Sequence, residues 1–257
     1  MIDPTAKVHP GAGIGSGVSI GAYAVIGDRV QIADNCVIGP HVVVKGPTRI
    51  GEATRISQFS SIGDDPQDKK YRGEAESFLE IGSNNVIREF CSINRGTAQG
   101  GGVTRVGNGN WIMAYVHIAH DCQVGNNAIF ANNATLAGHV HIDDHAILGG
   151  FTGVHQFCRV GCYSISAIAS IILKDVPPYL MVSGNSAKPS GLNRVGLKRN
   201  GFSDSSVEAL RKAYRIVYRE GLLLKNAVKK LEALAGENRE VAIFTRFIRE
   251  SERGIVR

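Results

Sequence analysis

The chain has 257 residues and a formal net charge of +6, with 43% hydrophobic and 7% aromatic residues. This length suffices for one large domain and a small second one, and no apolar run reaches the length that a membrane-spanning helix needs. The chain begins Met-Ile-Asp, without a basic or apolar leader, so we expect a cytoplasmic protein with no integral membrane segment.

The first predicted element is a long repeat in which an aliphatic residue returns every six positions. Three such runs cover residues 2–62, 81–93 and 106–160. An amphipathic helix needs apolar residues about 3.6 positions apart and an exposed strand needs a spacing of about 2, so neither explains the pattern. Three hexapeptides complete one triangular coil of about 18 residues, and stacked coils of this kind form a parallel β-helix. Because parallel crossovers are normally right-handed, physical argument alone leaves the hand of the β-helix open.

The repeat is interrupted twice, near residues 64–79 and near residues 95–103. We predict a loop insertion at each interruption, and loops that leave a rigid scaffold often carry binding residues. After Val160 the hexapeptides fade, and residues 175–187 are predicted to form an extended connector. The predicted β-helix domain therefore covers residues 1–191.

The remaining residues, 192–257, change to a helical period and are predicted to form a small α-helical domain of three or four short helices. Ser205 and Glu208 have the spacing of a capping box at the start of one of these helices. This tail is the basic part of the chain. Few aromatic residues are interleaved with its Lys and Arg and no nucleic-acid motif occurs, so we predict no nucleic-acid partner. An acidic protein or a phosphorylated ligand suits such a surface equally well.

Histidines between the aliphatic positions mark the predicted site. In a coil of about 18 residues, residues that differ by 18 lie in one column. Neighbouring columns then bring five polar side chains to within about 10–12 Å of one another, given the coil spacing: His120, Asp121, His139, His155 and Gln156. A histidine beside a carboxylate can exchange protons near neutral pH. Gly138, stacked on His120, could present its backbone N–H to an oxyanion.

Two other interpretations of these residues remain open on sequence grounds. Imidazoles could bind zinc instead, and the candidates for ligation are His117, His120, His139 and His141. A regulatory or scaffold solenoid would leave the polar columns unused. The sequence contains no nucleophile elbow, phosphate loop or dinucleotide fingerprint that would indicate another chemistry.

Several motifs together are characteristic of one enzyme family. They include His117-Ile-Ala-His120-Asp121, Val154-His-Gln-Phe157, Gln67-Asp-Lys-Lys70, Arg95-Gly-Thr97 and Gly196-Leu-Lys-Arg199. With these motifs the chain resembles the acyl-[acyl-carrier-protein]–UDP-N-acetylglucosamine O-acyltransferases of lipid A biosynthesis over essentially its whole length. The resemblance implies a left-handed β-helix, a homotrimer with active sites between subunits, and no cofactor or metal.

The resemblance also implies roles for individual residues. His120 would take the proton from the 3-hydroxyl of UDP-N-acetylglucosamine, which attacks the thioester of a 3-hydroxyacyl acyl carrier protein. Asp121 would orient His120, and the Gly138 N–H would stabilise the tetrahedral oxyanion. Eight residues would contact the nucleotide sugar or nearby groups: Asp68, Lys70, His117, His139, His155, Gln156, Asn193 and Arg199. The basic tail would receive the acidic carrier protein.

Four positions depart from the pattern of the family. Asn94 occupies a position where His is common, and Val195 and Asn200 replace common acidic and basic residues. Ile168 stands where a small residue lets a long acyl chain pass, so we predict a donor shorter than the 14-carbon 3-hydroxyacyl chain. The same base could also serve an amine, which leaves open N-acylation of a 3-amino nucleotide sugar.

Overall fold

The fold is built from coils of three short strands, which stack into a triangular prism. It is seen in a computed structural model that describes residues 1–73, 77–236 and 238–257. The part of the first insertion at residues 74–76 lies outside the described residues. Three parallel sheets form the sides of the prism, each pairing strands from successive coils.

The first and second sheets are parallel throughout. The first sheet comprises β1 (Lys7–Val8), β4 (Val25–Ile26), β7 (Val43–Val44), β10 (Ser61–Asp64), β13 (Ser92–Asn94), β16 (His117–Ile118), β19 (Thr135–Leu136), β22 (Gly153–Val154) and β25 (Ile171–Ile172). The second sheet comprises β2 (Gly13–Ile14), β5 (Val30–Ile32), β8 (Thr48–Ile50), β11 (Phe78–Ile81), β14 (Val103–Val106), β17 (Gln123–Val124), β20 (His141–Ile142) and β23 (Arg159–Val160).

The third sheet ends with an antiparallel strand, β27, which pairs with β26. It comprises β3 (Ser19–Ile20), β6 (Val37–Ile38), β9 (Arg55–Ile56), β12 (Val86–Ile87), β15 (Trp111–Ile112), β18 (Ile129–Phe130), β21 (Ile147–Leu148), β24 (Ile165–Ser166), β26 (Leu180–Ser183) and β27 (Lys188–Leu192). We call the corner between the first and second sheets the first corner, and that between the third and first sheets the third corner.

The aliphatic positions of the repeat fill the interior of the prism. Ile62, Ile87 and Ile118 are all fully buried, and burial of one such side chain contributes about 1.5–3 kcal/mol. The strands continue past Val160, where the aliphatic pattern fades, and β24 places a serine at the inward position. Ser166 is buried there and its hydroxyl bonds that of Thr152 at 2.8 Å, so the polar side chain is satisfied inside the prism.

Corner residues adopt left-handed backbone conformations, including residues much larger than the predicted glycines and asparagines. At the third corner Phe59, Phe90 and Tyr115 have φ values of 60°, 59° and 65°. Their rings stack with centroids 5.2 and 4.9 Å apart. A left-handed non-glycine residue costs about 1–2 kcal/mol, and stacking with the coils above and below, about 0.5–1.5 kcal/mol per aromatic pair, offsets much of this cost.

In the described part of the C-terminal domain there are four helices: α1 (Arg194–Arg199), α2 (Asp204–Tyr218), α3 (Leu224–Ala235) and α4 (Arg239–Arg249). The predicted capping box is wrong, because α2 begins earlier. Its N-cap is Ser203, whose hydroxyl accepts a hydrogen bond from the Ser206 N–H at 3.1 Å. The buried side chains of α2 and α4, Leu210 and Phe244 among them, form the core of this domain.

The helical domain packs on the outside of the second sheet. The Arg159 guanidinium of β23 lies 4.6 Å from the centroid of the Phe247 ring of α4. The C-terminal segment then returns to the prism, where Ser251 donates a hydrogen bond to the Asp175 carboxylate at 2.6 Å. Among the described residues, no helix is long and apolar enough to cross a bilayer.

Candidate active site

Both insertions leave the prism at the first corner. The first insertion joins β10 to β11, and the second joins β13 to β14. The polar columns lie in the next coils of this corner: His120 and Asp121 between β16 and β17, and His139 between β19 and β20. The period of the chain thus places two irregular loops directly beside the polar columns. The loops and the columns together line a cleft of about 720 Å³.

His120, which lines this cleft, forms a hydrogen-bonded pair with Asp121 behind it. His120 Nδ1 lies 2.8 Å from Asp121 Oδ2, and the side chains are 14% and 0% exposed. Burial alone would raise the pKa of Asp121, but hydrogen bonds from His120 and Thr97 outweigh it and hold that pKa below its ordinary value. The carboxylate is therefore charged and accepts from Nδ1–H, which leaves the Nε2 lone pair of His120 free to accept a proton.

Gly138 lies directly against the His120 ring, as the column count predicts. A Cβ atom at this position would lie 2.6 Å from Cε1 and 2.7 Å from Nε2 of the imidazole. The Gly138 N–H donates to no backbone carbonyl of the described residues, whereas the next N–H, that of His139, donates to the His120 carbonyl. An unpaired N–H thus lies close to the proposed base.

His139 supports the pair from the neighbouring column. Its Nε2 lies 3.7 Å from Asp121 Oδ2, and its ring stacks on Phe157 with centroids 4.5 Å apart. Burial lowers the pKa of His139, although the Asp121 charge opposes this effect. The pKa of His117 is also lowered, first by burial and then by the nearby His120. Both imidazoles are therefore predominantly neutral at pH 7.

The first insertion supplies the opposite side of the cleft. Asp68 and Lys70 line it together with His120, His139 and Gln156. The Asp68 carboxylate accepts a hydrogen bond from the Lys70 N–H at 2.9 Å, which gives this part of the loop a defined turn. With Asp121 and Gly138, which contact His120, the structure thus brings together seven of the residues that the sequence singles out.

Other predicted residues lie outside this cleft within one chain. The His117 ring bonds the Ser92 hydroxyl at 2.7 Å, and His155 lies 3.2 Å from an Arg253 nitrogen. The Asn193 side chain caps α1 by accepting from the Gly196 N–H at 3.0 Å. Arg199 is the last residue of that helix.

Ile168 also lies away from the cleft. It follows β24 at the third corner, and 71% of it is exposed. Within one chain its side chain packs on Gly150 of the coil before. A role in acyl-chain length would therefore require a neighbouring subunit.

Asn94, one of the departures, holds the base of the first insertion. Its Nδ2 donates to the Asp65 carbonyl at 2.9 Å. The neighbouring Arg95 guanidinium pairs with the Asp65 carboxylate and donates to the Gly63 carbonyl at 2.5 Å. This strand end therefore links the two insertions.

The alternative four-histidine zinc site is not formed. His141 lies on β20 in the second sheet, separate from the first-corner cluster. Potential ligand atoms of His120, Asp121 and His139 do lie within 4.8 Å of one another. However, Asp121 Oδ2 is already bonded by His120 and by the Thr97 hydroxyl, an arrangement that suits the orientation of a base.

Comparison with known proteins places the chain in a family. Residues 175–256 match the second domain of UDP-N-acetylglucosamine O-acyltransferases, and residues 11–46 and 104–138 match bacterial transferase hexapeptide repeats. The acyl-[acyl-carrier-protein]–UDP-N-acetylglucosamine O-acyltransferase of Burkholderia orbicola is 53% identical over 260 residues, which cover 100% of this chain and 99% of the relative. The corresponding protein of Thiobacillus denitrificans is 57% identical over 203 residues, covering 79% of this chain and 78% of the relative. The chain belongs to this family of enzymes.

Solved structures of this acyltransferase family agree with the fold. The UDP-N-acetylglucosamine O-acyltransferase of Moraxella catarrhalis has a TM-score of 0.97 at 47% identity, covering 100% of this chain and 99% of its own. That of Bacteroides fragilis has a TM-score of 0.97 at 43% identity and covers 100% of both chains. The predicted left-handed parallel β-helix followed by a small helical domain is confirmed.

Proposed function

We propose that this acyltransferase moves a (R)-3-hydroxyacyl chain from acyl carrier protein to the 3-hydroxyl of UDP-N-acetylglucosamine, the first step of lipid A biosynthesis. The observation that carries the proposal is the arrangement at the first corner. His120 Nδ1 is bonded to the buried Asp121 carboxylate, while the other edge of the ring lies over Gly138. A base and an oxyanion donor are thus adjacent in a cleft.

The proposed reaction is an acyl transfer. His120 Nε2 takes the proton of the sugar 3-hydroxyl as its oxygen attacks the thioester carbonyl carbon. The Gly138 N–H donates to the oxyanion of the tetrahedral intermediate. When this intermediate collapses, the carbon–sulfur bond breaks and the imidazolium returns its proton to the thiolate of the carrier. Asp121 stabilises the imidazolium but keeps no proton.

The substrate residues divide into two groups. Asp68, Lys70, His139 and Gln156 border the cleft, and we assign them to the sugar and its neighbouring groups. We assign three other residues to substrate contacts that are completed across a subunit boundary: Asn193, Arg199 and Ile168. His117 and His155, which flank the columns, support the acceptor site.

The donor chain length tests this function directly. We expect the purified protein to acylate UDP-N-acetylglucosamine from 3-hydroxyacyl carrier proteins, with 10- or 12-carbon donors turned over faster than a 14-carbon donor. Ile168→Gly should reverse the order, because it removes the exposed side chain assigned to the chain end. Mass spectrometry of the product measures both rates, and a 3-amino acceptor in a parallel assay tests N-acylation. A 14-carbon preference in the wild type would refute the assignment of Ile168.

We also propose a homotrimer with active sites between prisms. Most outward positions of the second sheet are polar or charged: Gln31, Arg49, Glu80, Arg105, Gln123, His141 and Arg159. The third sheet instead exposes Val37, Trp111 and Met181, and the third corner exposes the aromatic stack. Contiguous exposed apolar surface of this kind indicates a protein interface, and a closed ring of three would cover it in every subunit.

Trp111→Glu tests the trimer. Its side chain is 45% exposed on the third sheet, and a carboxylate there would be buried unpaired in the proposed interface. We expect the mass in solution, measured by light scattering, to fall from about three times the 27.5 kDa chain to that of one chain. Gln31→Glu adds the same charge on the second sheet and should leave the trimer intact. A monomeric wild-type protein would contradict the proposal.

A further inference from the structure

The second insertion contacts the catalytic pair rather than only bordering the cleft. Asp121 Oδ1 accepts a hydrogen bond from the Thr97 N–H at 2.9 Å, and Oδ2 accepts one from the Thr97 hydroxyl at 2.7 Å. Both carboxylate oxygens are thereby held by one residue of the loop. Thr97 is itself buried, with 8% of its surface exposed, and the Asp121 side chain is 0% exposed, so these bonds are largely shielded from water.

The hydroxyl of Thr97 has its hydrogen directed at the carboxylate. Its oxygen accepts a hydrogen bond from the Gly100 N–H at 3.1 Å. Thr97 thereby caps the short 3-10 helix Ala98–Gly100. Since a hydroxyl has one hydrogen, the bond to Asp121 uses it. The charged Asp121 accepts, so the direction of this bond is fixed.

A glycine lets the loop approach the carboxylate this closely. A Cβ atom at Gly100 would lie 2.2 Å from both Cγ and Oδ2 of Asp121. The backbone of Asp121 is fixed as well, because its N–H donates to the buried Thr104 hydroxyl at 2.8 Å. The carboxylate consequently has one orientation, in which Oδ2 faces His120 Nδ1 at 2.8 Å.

We infer that Thr97 is a positioning residue for the acyl transfer, which makes the second insertion part of the catalytic machinery. By bonding both oxygens of Asp121, Thr97 keeps Oδ2 in place to accept the hydrogen bond from His120 Nδ1–H. The hydrogen of the neutral His120 ring thereby stays on Nδ1, and Nε2 stays free to take the proton of the sugar hydroxyl. In this role Thr97 acts through Asp121 and not on the reacting atoms. The kinetic test of this inference rests on the proposed function. A second test, the tautomer of His120, does not depend on that function.

Thr97→Val removes the hydroxyl and keeps the branched shape of the side chain. We expect kcat to fall about 10- to 100-fold, as for other partners that orient a catalytic group, while KM for UDP-N-acetylglucosamine changes less than about twofold. Thr97→Ser keeps the hydroxyl and should restore most of kcat. Gly100→Ala, which displaces the carboxylate sterically, should lower kcat in the same way.

Thr54→Val is the matched control. Thr54 is also buried, and its hydroxyl donates to the Gly82 carbonyl at 2.9 Å, away from the cleft. This variant should lose stability, measured by the melting temperature, without losing kcat. An equal fall in kcat for Thr54→Val, or a Thr97→Ser variant as slow as Thr97→Val, would overturn the inference.

A measurement without substrate separates this inference from the proposed reaction. Nitrogen-15 solid-state NMR of histidine-labelled protein reports which ring nitrogen of His120 carries hydrogen, with His120→Ala assigning the signals. We expect the Nδ1–H tautomer in the wild type and in Thr97→Ser, and a mixture of tautomers in Thr97→Val. An unchanged tautomer in Thr97→Val would overturn the inference even if the protein proved to catalyse another reaction.

Discussion

His120→Ala is expected to lower kcat for acyl transfer by about 10² to 10⁴, the contribution of a general base. Among the described residues, the His120 side chain makes one polar contact, with Asp121, and it lies on Gly138. No other imidazole is placed to replace it, because His139 Nε2 is directed toward the same Asp121 oxygen at 3.7 Å. Discontinuous assay of the acylated nucleotide sugar at saturating substrate measures the loss.

The fold should survive the loss of His120, because this side chain lies at the surface of the prism rather than in its core. Light scattering and the melting temperature would establish that the variant is assembled. His9→Ala, far along the prism on an exposed corner, is the matched control and should retain wild-type kcat. Retained activity in an assembled His120→Ala variant would remove His120 from the mechanism.

Gly138→Ala is expected to lower kcat by about 10² to 10³, comparable to the loss of an oxyanion-hole donor. The added methyl group would lie 2.6 Å from His120 Cε1, well inside van der Waals contact. The imidazole must therefore move, and its bond to Asp121 and its distance to the Gly138 N–H both change. One methyl group thus disturbs the base and the oxyanion donor together.

A glycine elsewhere provides the control for this substitution. Gly236 is the C-cap of α3 and has ordinary right-handed backbone angles, and no atom of the described residues lies within 4 Å of a Cβ added there. Gly236→Ala should therefore be close to wild type in kcat. If Gly138→Ala and Gly236→Ala behave alike, the contact with His120 has no catalytic importance.

Much of the site is implicit in the repeat. Parallel strands in register place residue n+18 beside residue n, so the contact of Gly138 with His120 and that of His139 with Asp121 follow from counting. The structure contains both contacts. The sequence also indicates that the two insertions matter, since each breaks the period close to the polar columns.

The conformation of the insertions does not follow from the repeat. Thr97 contacts Asp121 across 24 positions, a separation that matches no whole number of coils, because the extra residues of the loop intervene. The Arg95-Gly-Thr97 motif and the glycines after it were the available signal, and they indicated a loop near the sugar. A polar residue at a core position, Ser166, likewise concealed the strand β24, since a hexapeptide search expects an aliphatic side chain there.

A crystal structure with UDP-N-acetylglucosamine tests the account most directly, because the nucleotide sugar could enter either of two large cavities that described residues line. One is the first-corner cleft, and the other is a groove of about 880 Å³ between the second sheet and α4, lined by Arg105, Arg159 and Arg246. We predict that the sugar occupies the cleft, with its 3-hydroxyl oxygen about 3 Å from His120 Nε2. A nucleotide sugar bound in the groove beneath α4, or one whose 3-hydroxyl points away from His120, would contradict the proposed mechanism.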